Sequence, residues 1–223
     1  WDMFNIRQVL IQGGHNPELG IEYYEDSFRM IRKDFPDVGV HGLSTSEIDM
    51  IAKVEKSSTK EILSRLKDAG LQSIPGAGAE ILTDSVKEKI SPKKITTNEW
   101  LRIMDEAFSL DLPASATMMY GHVESDNDIA EHFSKIVELQ KKTNGFMAFI
   151  PWSFEPNNTL MQKDGTVRYG AGGTHLLKMI AISRLVFDGL IHHIQSSWLT
   201  NGVGMAQLAL QYGADDFGGT LIG

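Results

Sequence analysis

Seven places along the chain set glycine, carboxylate, imidazole or aromatic residues directly after an apolar, β-branched run. They are Gly13-Gly14-His15-Asn16-Pro17; Ser44; Pro75 through Glu80; Tyr120-Gly121-His122-Val123-Glu124; Pro151-Trp152-Ser153-Phe154; Ser196-Ser197-Trp198; and Asp215 through Thr220. That set suits a deep polar pocket for a ligand the size of a nucleoside. Glycines let backbone N–H and C=O groups touch a ligand. Carboxylates can hold ribose hydroxyls, and aromatic rings can stack on a base or exclude water. Gly13 and Gly14 also fit a bare turn, the commoner use of glycine at a strand end.

Other chemistries are poorly served. "PGAGAE" (75–80) lacks the Lys-Ser/Thr of a phosphate loop and misses the G-x-G-x-x-G spacing. There is no HExxH, no His/carboxylate set with metal-ligand spacing and no G-x-S-x-G elbow. His192 and His193 are adjacent in a strand, so they face opposite sides. His41 lies within a strand and reads as a core histidine; His132 and His175 lie on helices and carry no signal. The ten methionines read as core filler, although Met118 and Met119 end a strand and can line a pocket.

Strands must carry these residues. The apolar runs predict them at 8–13, 38–43, 71–75, 114–120, 146–151 and 191–197, with a weak one near 214–217. Several are near-continuous, as in strands covered on both faces. Helices come between. Ser44-x-x-Glu47, Ser58-x-x-Glu61 and Thr96-x-x-Glu99 read as capping boxes. Ser125 starts a long helix with Ile129, Phe133, Ile136 and Val137 on its apolar face, and Gly145 ends it. Further helices are predicted at 97–110, 174–188 and 201–212, and 162–173 reads as a surface loop. Alternating βα units imply a parallel sheet, closed as a (β/α)8 barrel or left open and doubly wound. Periodicity alone does not choose between the two.

The bulk numbers bound the rest. The chain has 223 residues, 42% of them hydrophobic, which suits one large α/β domain spanning 1–223. The formal charge is −8, from 21 Lys+Arg against 29 Asp+Glu, and no basic block offers a nucleic-acid surface. No apolar run nears the roughly 20 residues of a membrane span. There is no cysteine, so no disulfide or thiolate metal site can form, in keeping with a cytoplasmic setting. The opening "WDMFNIRQ" and the closing "DDFGGTLIG" both read as cuts in a longer chain.

Seven stretches together resemble one family. "LIQGGHNPELGIEYYEDSFRMIRKDFPDV", "LKDAGLQSIPGAGAEIL", "ISPKKIT", "ATMMYGHVES", "FIPWSFEPNNT", "IQSSW" and "GADDFGGT" are similar, in order, to the radical S-adenosylmethionine enzymes of the futalosine route to menaquinone and their deazaflavin-pathway relatives. "QGGHNP" favours the branch that cyclises dehypoxanthine futalosine to a spiro product over the aminofutalosine synthases. The deazaflavin (F420 precursor) synthase subunit is the near alternative, and a cluster-free nucleoside-binding remnant is the non-catalytic one. The resemblance implies a TIM-type (β/α)8 barrel of the radical S-adenosylmethionine kind. It implies S-adenosylmethionine and a [4Fe-4S] cluster as cofactors, a nucleoside substrate and an electron donor for the cluster. In the family the cluster sits on a Cys-x3-Cys-x2-Cys loop after the first strand. This chain holds no such loop, so the first βα unit is expected to be missing and the fragment to be inactive and poorly stable alone.

By the same resemblance, Gly13 and Gly14 match the strand end that bonds the amino group of the cofactor's methionine part. Ser44 stands at the next strand end, or simply caps a helix, and Glu80 is placed at the ribose hydroxyls. Thr117-x-Met119-x-Gly121-x-x-Glu124 resembles the adenine motif Gly-x-Ile-x-Gly-x-x-Glu. Ala77 replaces a usual glycine and Asp215 a usual asparagine. In such an enzyme a deoxyadenosyl radical takes a hydrogen from the ribose, a ring closes and a proton leaves. His15, His122 and Asp216 are the candidate bases or substrate holders, as polar side chains at strand ends.

Overall fold

The computed structural model describes residues 6–219. In chain order its elements are β1 (Gln8–Ile11), α1 (Ile21–Asp34), β2 (Gly39–Gly42), α2 (Thr45–Glu55), α3 (Thr59–Ala69), α4 (Asp84–Ile90) and α5 (Thr97–Ser109). There follow β3 (Ala114–Tyr120), α6 (Asp126–Thr143), β4 (Phe146–Ser153), α7 (Leu160–Lys163), α8 (Gly173–Val186), β5 (His193–Ile194), α9 (Trp198–Asn201) and α10 (Val203–Ala209), with a 3-10 turn at Leu210–Tyr212. Two compact units share them. The first takes residues up to Gly78 together with Lys94–Ala114; the second takes Ala79–Lys93 and the rest from Ser115. No helix among the described residues is long and apolar enough to cross a membrane.

In the first unit β1 runs parallel to β2, from Gln8 opposite Gly39 to Ile11 opposite Gly42. Single parallel bridges add His41 to Ser73 and Ile74 to Ala114. Helices lie between successive strands in sequence, as parallel pairing requires. Ile21, Phe28, Ile48, Ile51, Ile62, Leu63, Leu66 and Trp100 are fully buried, each contributing about 1.5–3 kcal/mol against exposure. β1 differs from the expected doubly covered strand: Leu10 is 57% exposed.

In the second unit the sheet order is β3-β4-β5, with β4 and β5 parallel and a bridge from Gln195 to Asp216. β3 is buried along nearly all its length, as a strand covered on both faces is. Phe133, Phe149 and Phe187 form a ring cluster with centroids 4.7 to 5.5 Å apart. The strand–helix alternation expected of an α/β chain is therefore present. Among the described residues it gives a two-stranded and a three-stranded sheet, with no closed barrel. The stretches expected as strands at 71–75 and 214–217 pair through single bridges only.

The caps follow the sequence closely. Ser44/Glu47 and Thr96/Glu99 form full capping boxes, and Ser125 forms one with Asp128. Ser58 forms only half of its expected box, because the Glu61 carboxylate takes the Ser57 hydroxyl instead. α6 ends on Asn144 in the left-handed region, one residue before the expected Gly145. The helix expected at 201–212 is broken at Gly202 (φ +79). α1 has no local cap at all: its first N–H donates to Glu55 of α2 at 2.8 Å.

Candidate functional site

In the first unit, β2 ends on Leu43, buried and with φ +57. A leucine there is strained, and such strain gathers at functional turns. It turns the chain into α2, so that Ser44 caps the helix and Glu47 lies behind it. The Glu47 carboxylate is buried and takes four donors. Oε2 accepts the Ser44 N–H and hydroxyl, both at 2.7 Å. Oε1 accepts the Gly13 N–H at 2.8 Å and the Gly14 N–H at 3.0 Å. With both oxygens accepting from N–H and O–H groups, the side chain is there as the carboxylate.

The glycine turn is open on its other side. A Cβ at Gly13 or Gly14 would meet nothing within 4 Å, and Gly14 has φ +74. His15 follows in an exposed turn, where Asn16 Oδ1 accepts the Glu18 N–H at 2.9 Å. At the next strand end the Ala77 carbonyl lies 3.5 Å from the Thr45 hydroxyl. Gly78 has φ +89, and a Cβ there would stand 2.8 Å from the Ser46 hydroxyl. Ala77 thus leaves the turn intact, whereas Gly78 needs to be glycine.

In the second unit, Glu80 is buried with φ +48. Its segment is fastened along its length. Lys87 donates to the Ala79 carbonyl at 3.1 Å and Met119 N–H to the Glu80 carbonyl at 2.7 Å. His132 Nδ1 accepts the Leu82 N–H at 3.1 Å, and Lys135 donates to the Leu82 carbonyl at 2.6 Å. His132, a helix residue with no sequence signal, is therefore part of what places Glu80. Burial pushes its imidazole down to about 3, and Lys87 and Lys135 add to that.

At the end of β3, Met119 is buried and Gly121 (φ +87) faces Ala171, 2.7 Å from where a Cβ would be. Glu124 accepts the Gly121 N–H and the His122 N–H at 2.9 Å, and lies 2.9 Å from His122 Nδ1, with both side chains buried. His122 Nε2 lies 3.1 Å from the Met119 carbonyl, so both ring nitrogens are engaged. Burial opposes the Glu124 charge, but the bonds from His122 and Gly121 outweigh it and hold the carboxyl down to about 2.

Asp216 bonds the Gly218 N–H at 2.9 Å and Gln195 at 3.2 Å. Asp215 is tied elsewhere. Its Oδ1 accepts from Arg184 at 2.9 Å and from the Ile194 N–H at 2.7 Å, and Oδ2 pairs with His193 at 3.0 Å. Each unit thus brings its own strand-end residues together: Gly13, Gly14 and Ser44 in one, Glu80, Met119, Gly121 and His122 in the other. His15 stands apart, with no side-chain partner among the described residues. Sequence reasoning saw Glu47 only as a cap; the reach of its second oxygen is a tertiary contact that no local pattern shows.

The chain belongs to the Radical SAM superfamily, which matches over residues 2–136. Within it, residues 143–223 match the CofH/MqnC C-terminal region. The chain is 40% identical over 96% of its length to the cyclic dehypoxanthine futalosine synthase of Streptomyces coelicolor, covering 53% of that protein. It is 41% identical over 96% to the synthase of the same name from Halalkalibacterium halodurans, covering 57%. It is equally similar, at 42% over 96%, to the 5-amino-6-(D-ribitylamino)uracil--L-tyrosine 4-hydroxyphenyl transferase of Methanothermobacter thermautotrophicus, covering 59%. The chain spans little more than half the length of these relatives.

The cofactors implied by the family fit this chain unequally. The open glycine turn, with its N–H groups held on Glu47, and the buried Glu80 suit S-adenosylmethionine. An iron–sulfur cluster does not fit: the chain has no cysteine, and no group of three His, Asp or Glu among the described residues could hold a metal.

Proposed function

We propose that the whole protein cyclises dehypoxanthine futalosine, with this chain supplying S-adenosylmethionine and substrate contacts. The observation that carries the reading is the Gly13–Gly14 turn, whose donors are withdrawn onto Glu47 and whose acceptors are left for a ligand amino group. "QGGHNP" and the identity to the two futalosine cyclases support the cyclising branch.

S-adenosylmethionine, given one electron by the donor and losing methionine, would supply 5′-deoxyadenosyl radical chemistry for hydrogen-atom removal from the substrate ribose. The residues of this chain hold and orient. In the first unit the Gly13–Gly14 turn takes the amino group on its outward carbonyls and Ser44 flanks it. The second unit offers its own strand-end set for a nucleoside, with Glu80 for ribose hydroxyls and the backbone at Met119 and Gly121 for a base. His15, with a free and exposed imidazole, is the proton acceptor best placed to exchange with water. His122 positions the Met119–Glu124 turn, and Asp216 is the second acidic candidate. An electron donor completes the protein's partners. No step is assigned to a cluster on these residues.

The equal identity to the 4-hydroxyphenyl transferases supports one second reading, an F420-precursor synthase. One experiment separates the two. The full-length, cluster-loaded protein is reduced with S-adenosylmethionine in the presence of dehypoxanthine futalosine, or of 5-amino-6-(D-ribitylamino)uracil with L-tyrosine. A cyclised futalosine product formed with 5′-deoxyadenosine supports the proposal. Product only from the uracil and tyrosine would replace it with the second reading.

A further inference from the structure

The structure contains its own control for Glu47. In all three full capping boxes one carboxylate oxygen serves the cap: Glu99 Oε2 takes the Thr96 N–H and hydroxyl, and Asp128 Oδ2 takes those of Ser125. Glu47 Oε2 does the same for Ser44. A helix cap therefore needs a single oxygen, and an aspartate is long enough to provide it. Only Glu47 uses its second oxygen for a distant segment, 33 and 34 residues away.

The cost of that arrangement argues for a purpose. Glu47 is 2% exposed, and among the described residues no Lys, Arg or His lies within ion-pair distance of it. A buried carboxylate without a cation is unfavourable unless donors surround it. Its field reaches its surroundings: burial first, and the Glu47 carboxylate second, push the Tyr24 phenol up.

The geometry of the peptide supplies the consequence. No cis bond is present among the described residues. In a trans peptide the N–H of one residue and the C=O of the residue before it point in opposite directions. Holding the Gly13 and Gly14 N–H groups on Glu47 therefore turns the Gln12 and Gly13 carbonyls away from it. No donor among the described residues reaches either carbonyl, and both residues are exposed. Two outward acceptors in front of an unpaired negative charge select a primary ammonium and reject an anion.

We infer that Glu47 is a positioning residue for the amino group of S-adenosylmethionine: through its second oxygen it locks the Gly13–Gly14 turn so that the Gln12 and Gly13 carbonyls face that ammonium. The inference rests on the radical-enzyme reading above. It goes beyond it in assigning a residue that the sequence marks only as a helix cap.

Glu47→Asp separates cap from lock, because the shorter acid still reaches Ser44, as Asp128 reaches Ser125, but falls short of the glycines. The test uses the full-length protein carrying its cluster, with equilibrium dialysis against three ligands. S-adenosylmethionine has amino and carboxylate groups, its decarboxylated analogue has the amino group alone, and 5′-methylthioadenosine has neither. The expected result is a roughly tenfold weaker Kd for the first two, about 1.4 kcal/mol, an unchanged Kd for 5′-methylthioadenosine and cooperative unfolding at a modestly lower Tm. Equal losses for all three ligands would mean general damage and would overturn the inference. So would unchanged affinity for all, or loss of cooperative unfolding, since the variant is held to keep the cap. Failure of the unsubstituted protein to bind S-adenosylmethionine would instead remove the parent reading.

Discussion

Replacing Glu124 with glutamine should destabilise the chain at neutral pH and matter progressively less in acid. The Glu124 carboxyl is held down to about 2 against an ordinary 4.5. Linkage turns that interval into about 3 kcal/mol of stability, at about 1.4 kcal/mol per pH unit. For a carboxylate held low, the contribution is complete above the unfolded value. It falls away as pH drops from about 4.5 towards about 2, with more than half gone by about pH 3. The cause is local: the carboxylate accepts from the Gly121 and His122 N–H groups and lies 2.9 Å from His122 Nδ1, with its side chain 4% exposed. Glutamine keeps the shape but brings an NH2 group against those donors. The assay is urea unfolding of both chains across the acid range, read as the difference in midpoint stability. His41 and the buried His132, which do not touch Glu124, titrate in both chains and cancel in that difference. A gap of 2–3 kcal/mol at neutral pH, by the same linkage, that closes in acid is expected. A gap that stays constant with pH would refute the reasoning, since the loss would then come from packing and not from charge.

His132→Leu should cost about 1–3 kcal/mol by leaving the Leu82 N–H unpaired. Because burial holds this histidine at about 3 against 6.5, stability is lost as pH falls through that interval; the variant should show a shallower acid slope in denaturant titrations, and an identical slope would count against the assignment. Gly14→Ala should lose about 1 kcal/mol because φ is +74. Gly13→Ala, with open space and no such constraint, should stay within about 0.5 kcal/mol by the same unfolding assay.

The elements readable in advance were those with local signatures. Two of the three expected boxes, at Ser44 and Thr96, the buried β3 and the Phe133 face of α6 lie where the spacing puts them, and the expected Ser125 cap forms a full box with Asp128. α1 escaped notice because its cap is Glu55, from another helix. The strands at 71–75 and 214–217 were overcalled because apolar content reports burial, whereas pairing also needs a neighbour over several residues. Of the candidate residues, Gly13, Gly14 and Gly121 were readable as strand-end turns because glycine advertises them, whereas Glu80 has its left-handed backbone (φ +48) without that signal. Glu47, His132 and the Asp215 network were hidden because their partners are far away in sequence. Asp215, unusual as a substitution for asparagine, uses both oxygens on Arg184, Ile194 and His193, which an amide could not accept in the same way.

The burial of Trp100 also equips the protein with built-in optics. Among the described residues it is the sole indole of the first unit, fully sealed from water, whereas Trp152 and the half-buried Trp198, bonded to the Gly219 carbonyl, belong to the second. With Trp1 and then one set or the other replaced by phenylalanine, emission colour would report each unit separately. Superimposable unfolding curves would show that the two melt as one cooperative block, and displaced curves would give each its own melting step.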